Sequence, residues 1–343
     1  MTNTYFSTFI PGTGEIIQKL LPESIPVDKI SMILDGLIVY ESSSDVAAIQ
    51  RLPFFNNSFL VLKSFFDLQE NAIGEMMKKS WKDKRLEERI PRKIQQRQKT
   101  FRIIASQENQ TVTMDTNLLR NWERKIEKLL CFTINRSKPD IEFWFLYRRE
   151  GYGFFAMRLT THTAYEKILE KGELRPELSY LLAYLAQPNP EDILLDPFCG
   201  SGAIPMALTH FEHRKIIASD NSQEKIAKFQ KKAHQEKKEL EIQCLDALQL
   251  DRVYKKQVHK IITDPPWGLF AMPNTDLGEF YTQMLQSFLS VLQENFTMVL
   301  LIGQKEVFEK TLEKFSHNLK LLKKYNILVS GKKAAIYLLM NKN

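Results

Sequence analysis

The chain has 343 residues, 43% hydrophobic and 26% charged, with a formal net charge of +7. That is the composition of ordinary soluble globular domains, and the length calls for two compact units rather than one core. No apolar run approaches the roughly 18 residues of a bilayer span, and residues 1–5 carry no basic or long apolar segment, so neither membrane insertion nor an export signal is expected, and a cytoplasmic location is. Cys131, Cys199 and Cys244 are scattered without a C-x-x-C pair, which argues against a disulfide framework or a structural zinc site. The six histidines form no ligand pattern; His210 and His213, three apart, read as a solvated pair, and no metal is expected.

In chain order, the first 60 residues are weakly patterned. Between Lys78 and Arg102, eleven basic residues stand against three acids, a local charge of +8 that leaves the rest of the chain at −1. Such a run is commonly a solvated helix face, but one positive stripe on a near-neutral body also attracts phosphates, and charge alone leaves both readings open. Phe101-Arg102-Ile103-Ile104 reads as a strand. A helix is predicted over 117–130, where Leu118, Leu119, Trp122, Ile126, Leu129 and Leu130 recur at three- and four-residue spacing. Residues 141–147 read as a second strand, Arg148-Arg149-Glu150-Gly151-Tyr152-Gly153 as a hairpin turn, and 154–159 as the returning strand. These elements make a small α+β module.

The texture changes near residue 160. From about Pro176, strands (193–196, 215–220, 240–245, 260–264, 298–302) alternate with helices (201–211, 222–236, 277–292), the rhythm of a parallel sheet covered by helices. Residues 326–330 and 334–340 flank Gly331-Lys332-Lys333, a hairpin signature that predicts an antiparallel final strand.

Two loops carry the chemistry. In Asp196-Pro197-Phe198-Cys199-Gly200-Ser201-Gly202, glycines at a strand end let a ligand approach the backbone. Pro205 stands where a dinucleotide fingerprint has its third glycine, and an acid precedes the loop; both departures suit a cationic amino-acid ligand better than a pyrophosphate. Asp220 ends the next strand, where an acid can take both hydroxyls of a ribose, and Asp246, followed by Ala247, ends the third, where it could meet an adenine amino group. Each acid alone also reads as a helix cap or turn residue. Four of them, Asp196, Asp220, Asp246 and Asp264, at four successive strand ends form a pattern that caps do not explain.

The second loop is Asp264-Pro265-Pro266-Trp267-Gly268. Its prolines fix the backbone and remove two amide donors, leaving carbonyl acceptors in set directions. An exocyclic amino group is a poor nucleophile because its lone pair is delocalised into the ring. Hydrogen bonds from its two N–H groups to the Asp264 carboxylate and the Pro265 carbonyl would aim that lone pair at a methyl donor. Trp267 would stack on a base drawn from its own stack. Asp264 could also take the proton, although an unperturbed carboxylate is a weak base and positioning is its safer role. The competing reading is a proline-stiffened turn with a buried tryptophan.

Residues 196–202 resemble motif I of class I S-adenosylmethionine-dependent methyltransferases, and 264–267 resemble the N/D-P-P-Y/F/W motif of members that methylate adenine N6, cytosine N4, guanine N2 or protein glutamine. The resemblance implies a Rossmann-like α/β sheet of seven strands, the last antiparallel, and S-adenosyl-L-methionine as cofactor. It implies Asp196, Phe198, Cys199, Gly200, Ser201, Gly202, Asp220, Asn221, Asp246 and Ala247 as cofactor-binding residues. Among these, Asp220 would hold the ribose, Asp246 and Ala247 would face the adenine, and the Gly200-Ser201-Gly202 backbone would border the methionine portion. Asp264, Pro265, Pro266 and Trp267 would be the catalytic residues.

Lys138-Pro139-Asp140-Ile141-Glu142-Phe143-Trp144-Phe145 through Gly153-Phe154-Phe155-Ala156-Met157-Arg158-Leu159 resembles the end of a THUMP module, an RNA-binding domain. Leu174-Arg175-Pro176-Glu177-Leu178, followed by Leu181-Leu182-Ala183-Tyr184-Leu185, resembles the lead into the methyltransferase domain of THUMP enzymes. The implied organisation is a ferredoxin-like region over 1–60, a THUMP-like RNA-binding domain over 61–160, a linker over 161–175 and a methyltransferase domain over 176–343. The combination most resembles guanine-N2 methylases of tRNA, with those of ribosomal RNA next. Adenine-N6 methylation and a catalytically silent RNA-binding protein are the alternatives. RNA thereby becomes the expected partner of the basic run, with Lys99, Arg102, Arg148 and Arg149 as candidate phosphate contacts. Arg148 and Arg149 also read as solvated turn residues.

Overall fold

The structure is a computed structural model that describes residues 2–68, 71–83, 87–90, 99–108, 110–160, 173–268, 276–329 and 331–342. The expected linker lies largely outside the described residues, as do Lys84, Arg85, Arg92, Lys93 and Arg97 of the basic run. The chain divides into two units, Met1–Thr8 with Gln18–Lys167 and Phe9–Ile17 with Ile168–Asn343.

In the first unit the strands are β1 (Asn3–Thr8), β2 (Lys29–Leu34), β3 (Leu37–Ser42), β4 (Asn57–Phe65), β5 (Thr100–Gln107), β6 (Gln110–Val112), β7 (Thr133–Ile134), β8 (Ile141–Tyr147) and β9 (Gly153–Arg158). They form one sheet in the order β2-β3-β1-β4-β9-β8-β5-β6, with β7 also beside β5. The β5–β8 and β5–β7 pairs are parallel and the rest antiparallel. Residue 60 falls inside β4, which pairs with β1 on one side and β9 on the other, so the first 60 residues and the segment after them share a sheet. The helices along this stretch are α1 (Gly14–Ser24), α2 (Val46–Gln50), α3 (Ala72–Trp81) and α4 (Thr116–Leu130).

Helix α4 starts where Asp115 accepts hydrogen bonds from the amides of Asn117 and Leu118, at 3.0 and 2.8 Å, and ends at Cys131 in the left-handed conformation, φ 54°. Its apolar stripe seats Trp122 against Phe145 and Phe155, ring centres 5.4 and 5.1 Å away, and the indole N–H donates to the Met77 carbonyl at 3.1 Å.

The second unit holds β10 (Ile193–Asp196), β11 (Lys215–Asp220), β12 (Glu241–Cys244), β13 (Val258–Thr263), β14 (Leu292–Ile302), β15 (Leu319–Val329) and β16 (Lys332–Asn341) in the order β12-β11-β10-β13-β14-β16-β15. The first five run parallel, and β16 inserts antiparallel between β14 and β15. The expected seven-stranded Rossmann-like α/β sheet, its final strand reversed, is therefore present. Its helices are α5 (Pro176–Leu185), α6 (Ala203–Leu208), α7 (Gln223–Gln235), α8 (Leu277–Val291) and α9 (Lys305–Lys314). Phe280, Tyr281, Met284 and Phe288 of α8 cluster with Ile217, Ile261 and Met298, whereas Ile226, Phe229 and Ala233 of α7 cluster with Ala218 and Cys199. Adjacent Ile217 and Ala218 thus serve different cores, as a strand covered on both faces requires.

Strands β14 and β15 begin at Leu292 and Leu319, well before the expected 298 and 326, and two boundaries beside the motif residues differ as well. The helix expected from 201 begins at Ala203, because Gly202 sits at φ +86° and cannot continue it. Asp246 does not end the third strand: β12 stops at Cys244, opposite the last residue of β11, Asp220. Past that pair no partner strand remains, and Asp246 caps a short 3₁₀ helix, Ala247–Arg252, accepting from the Leu248 amide at 2.9 Å.

Candidate active site

The chain runs outward from β10 through β11 to β12 and then returns to β13, on the other side of β10. This reversal opens a crevice at the carboxyl ends of β10 and β13, where ligands of such sheets bind. Both motif loops start there. The Thr263 hydroxyl donates to Asp196 Oδ1 at 2.6 Å and the Phe198 amide donates to the same oxygen at 3.2 Å, tying the two strand ends together. Asp196 is 1% exposed. Burial pushes its carboxyl up to about 8, against the two hydrogen bonds and with help from the charges of Asp264 and Asp220.

Asp220 clasps the glycine loop from the end of β11. Its Oδ2 accepts from the Gly200 amide at 3.1 Å, with Lys225 Nζ 3.8 Å away, and its Oδ1 accepts from the Ser222 amide at 2.9 Å. The Cys199 amide donates to the Ser219 carbonyl at 2.9 Å, and the Gly202 amide to the Cys199 carbonyl at 2.7 Å. The two glycines answer different needs. A Cβ on Gly200 would meet nothing within 4 Å, whereas one on Gly202 would lie 2.0 Å from Phe229 Cε2. Gly200 thus borders open space, and Gly202 lets α7 pack closely. Cys199 is buried, which raises its thiol well above its ordinary range and disfavours the thiolate. Phe198 turns toward Phe280 and Phe288 of α8, Asn221 is exposed, and Ala247 is buried.

Asp264 follows β13 directly and accepts from the Trp267 indole N–H through Oδ1 at 2.7 Å. Burial pushes its carboxyl up to about 7, opposed by that hydrogen bond. The Trp267 ring lies against Gly303, just beyond β14, where a Cβ would come within 2.3 Å of Trp267 Cδ2. Behind Asp264 is Tyr281 of α8, fully buried, its hydroxyl without a hydrogen-bond partner among the described residues. Burial first, and the Asp264 charge second, push that phenol up to about 12.

Thr263, Tyr281 and Gly303 adjoin the candidate site and were missed by sequence reasoning, as was Glu173, whose Oε1 accepts from the Ser201 hydroxyl at 3.2 Å. Thr263 adjoins the proline motif and could have been examined for that reason. The other three belong to no motif. Open space at Gly200 beside the Asp220 carboxylate fits the methionine end of S-adenosylmethionine, and Asp246, capping the short helix that follows β12, stands on the same sheet edge. Among the described residues, no group of three or more His, Cys, Asp or Glu side chains is placed to hold a metal ion, and no helix is long and apolar enough to cross a membrane.

The four basic candidates lie in the first unit and are not equivalent. Arg102 Nε donates to Glu142 Oε1 at 2.8 Å and its guanidinium also reaches the Arg136 carbonyl at 3.1 Å. Arg148 is buried and pairs with Glu150 at 3.2 Å. Lys99 is half-buried and Arg149 exposed. Two of the four cations are therefore already committed to acids.

Residues 164–334 match the UPF0020 family, described as RMKL-like, methyltransferase domain. The chain is 27% identical over 180 residues to the mouse (Mus musculus) tRNA (guanine(6)-N(2))-methyltransferase THUMP3; the match takes in 48% of this chain and 36% of that protein. The chain thus spans little more than a third of the curated relative it matches. TrmN from Thermus thermophilus superposes with a TM-score of 0.79 at 18% identity over 100% of both chains. SMU.472, a methyltransferase complexed with SAH, superposes with a TM-score of 0.72 at 12% identity, over 100% of this chain and 99% of that one. These two likenesses concern the fold.

Proposed function

We propose that this chain, which over residues 164–334 belongs to the UPF0020 family of RMKL-like methyltransferase domains, methylates an exocyclic amino group of a base in RNA, guanine N2 of tRNA foremost. One observation carries the reading: the Asp264-Pro265-Pro266-Trp267 loop and the open glycine loop start from adjacent strand ends joined by the Thr263–Asp196 hydrogen bond. The mouse relative's tRNA guanine-N2 activity supports the choice of base and RNA. Cys131 and Cys244 are exposed free thiols, which suits action in the reducing cytoplasm.

When bound, S-adenosylmethionine would be held by the Gly200-Ser201-Gly202 backbone with Asp196, Asp220 and Asp246 around it, and would supply an electrophilic methyl group. The chain's own part is to present the amine. One Asp264 oxygen is occupied by the Trp267 indole, which leaves the other to accept an N–H of the substrate. With its pKa raised to about 7, Asp264 is also a stronger base than an ordinary carboxylate, so it can hold the proton that the methylated amine releases. No covalent bond between enzyme and substrate is needed.

The test is incubation of the chain with labelled methyl donor and unmodified tRNA, followed by digestion to nucleosides. Label is expected in N2-methylguanosine. Label confined to ribosomal RNA, or appearing as N6-methyladenosine, would move the target. No label in any RNA would sink the reading.

A further inference from the structure

The first unit has a constructed surface of its own on α3 and α4. Trp81, the last residue of α3, is 44% exposed, and its ring is nonetheless held in place. It meets Trp122 edge-on, centres 5.7 Å apart at 86°. The Lys125 amine lies 4.9 Å from the Trp81 ring centre and 5.0 Å from that of Trp122, and donates to the Trp81 carbonyl at 2.6 Å. Beside the ring is a shallow pocket of about 390 Å³ lined by Trp81, Asn121, Arg124, Lys125 and Lys128. Arg124 and Lys128 are exposed and, among the described residues, paired with no acid. The acids nearby on α3 and just after it are occupied: Glu75 by Lys79 at 2.6 Å, and Asp83 by Arg89 at 3.0 Å and Lys63 at 3.9 Å.

We propose that Trp81 is a stacking platform for one unpaired base of an RNA strand, with Arg124 and Lys128 receiving the flanking phosphates. The proposal rests on the reading of RNA as this chain's partner and places a contact outside the methyl-transfer crevice. A fixed aromatic face rimmed by cations takes any base, because every base has a π-face, and it serves single strands because a duplex keeps its bases stacked. An acidic protein would use the cations but leave the ring face unmatched. Lys78 and Lys82, both exposed, extend the positive rim along the strand's path.

The experiment is fluorescence anisotropy of the full chain with a labelled single-stranded RNA nonamer and with the same sequence as a duplex, across a salt series. Trp81→Ala is expected to weaken single-strand binding about ten-fold or more while Trp81→Phe, which keeps a ring against Trp122, stays within about three-fold. The Arg124→Ala/Lys128→Ala double variant should lower the single-strand salt slope by about 1.4, two phosphates' worth. Unchanged single-strand affinity in Trp81→Ala, or equal losses for single strand and duplex, would overturn the proposal. So would an unaltered salt slope in the double variant, or displacement of the RNA by polyglutamate through Trp81. Methylation of RNA by the unaltered chain separates the two readings. Trp81-dependent binding in a chain that methylates no RNA upholds the platform and sinks methyl transfer. Methylation of tRNA with an unchanged KM in Trp81→Ala does the reverse.

Discussion

Asp264 is held between two demands. To orient an amine it must be ionised and accept hydrogen bonds, yet its surroundings favour the protonated form and bring its pKa to about 7. The ionised fraction therefore grows between about pH 6 and 8, so kcat/KM should rise with pH through 7 and level off above it. A flat profile across that range would remove Asp264 from the role. Asp264→Asn should reduce turnover roughly 100-fold or more while S-adenosylhomocysteine affinity, measured by calorimetric titration, changes less than about ten-fold. The paired glycines offer a second check. Gly202→Ala would push a methyl into Phe229 at φ +86° and should lower the melting temperature strongly, whereas Gly200→Ala, strained at φ +52° but with open space around it, should lower it less and also weaken S-adenosylhomocysteine binding. Both glycines were legible as one motif, but their separate duties were not, because a motif does not say which neighbour fills which side. Tyr281 and Gly303 carried no signal at all: one reads as an ordinary apolar helix position and the other as the end of a strand.

Among elements, the joint between β10 and β13 is the one on which the crevice depends. Thr263→Val keeps the shape and deletes the hydroxyl that donates to Asp196. At neutral pH, where the raised pKa keeps Asp196 largely protonated, it should cost roughly 0.5–1.5 kcal/mol in denaturant unfolding, the worth of a hydrogen bond between neutral groups. A cost near zero would mean that the bond is expendable. The strands β10, β11, β13 and β14 were readable because a parallel strand covered on both faces is a continuous apolar run, with a helix marking each crossover. The half-buried β12 has a weaker pattern, and its expected end at 245 overran Cys244 by one residue, which put Asp246 at the strand's end rather than at a helix cap. The first unit resisted for a different reason. Its order is set by partners far apart in sequence, β4 with β9 and β5 with β8, and alternation within a strand does not name its neighbour. A boundary at residue 60 consequently falls within β4.

On the scale of the molecule, two buried carboxyls with raised pKa values should make the second unit sensitive to alkali. A carboxyl at about 8 (Asp196) or about 7 (Asp264) when folded, against about 4 when unfolded, binds extra protons in the native state. Its contribution is complete below the unfolded value and is lost as pH rises through the folded one. Urea unfolding followed at Trp267, the one tryptophan of the second unit, should give a lower midpoint at about pH 8.5 than at about pH 5.5. Asp196→Asn should flatten that difference; an identical pH response in the variant would show that other groups set it. The insertion of β16 between β14 and β15 has a consequence of another kind. During synthesis, β14 has an exposed edge and β15 no sheet to join until residues 332–341 have left the ribosome. The nascent chain thus carries an unmatched apolar strand edge until that hairpin forms, a template on which other chains can pair.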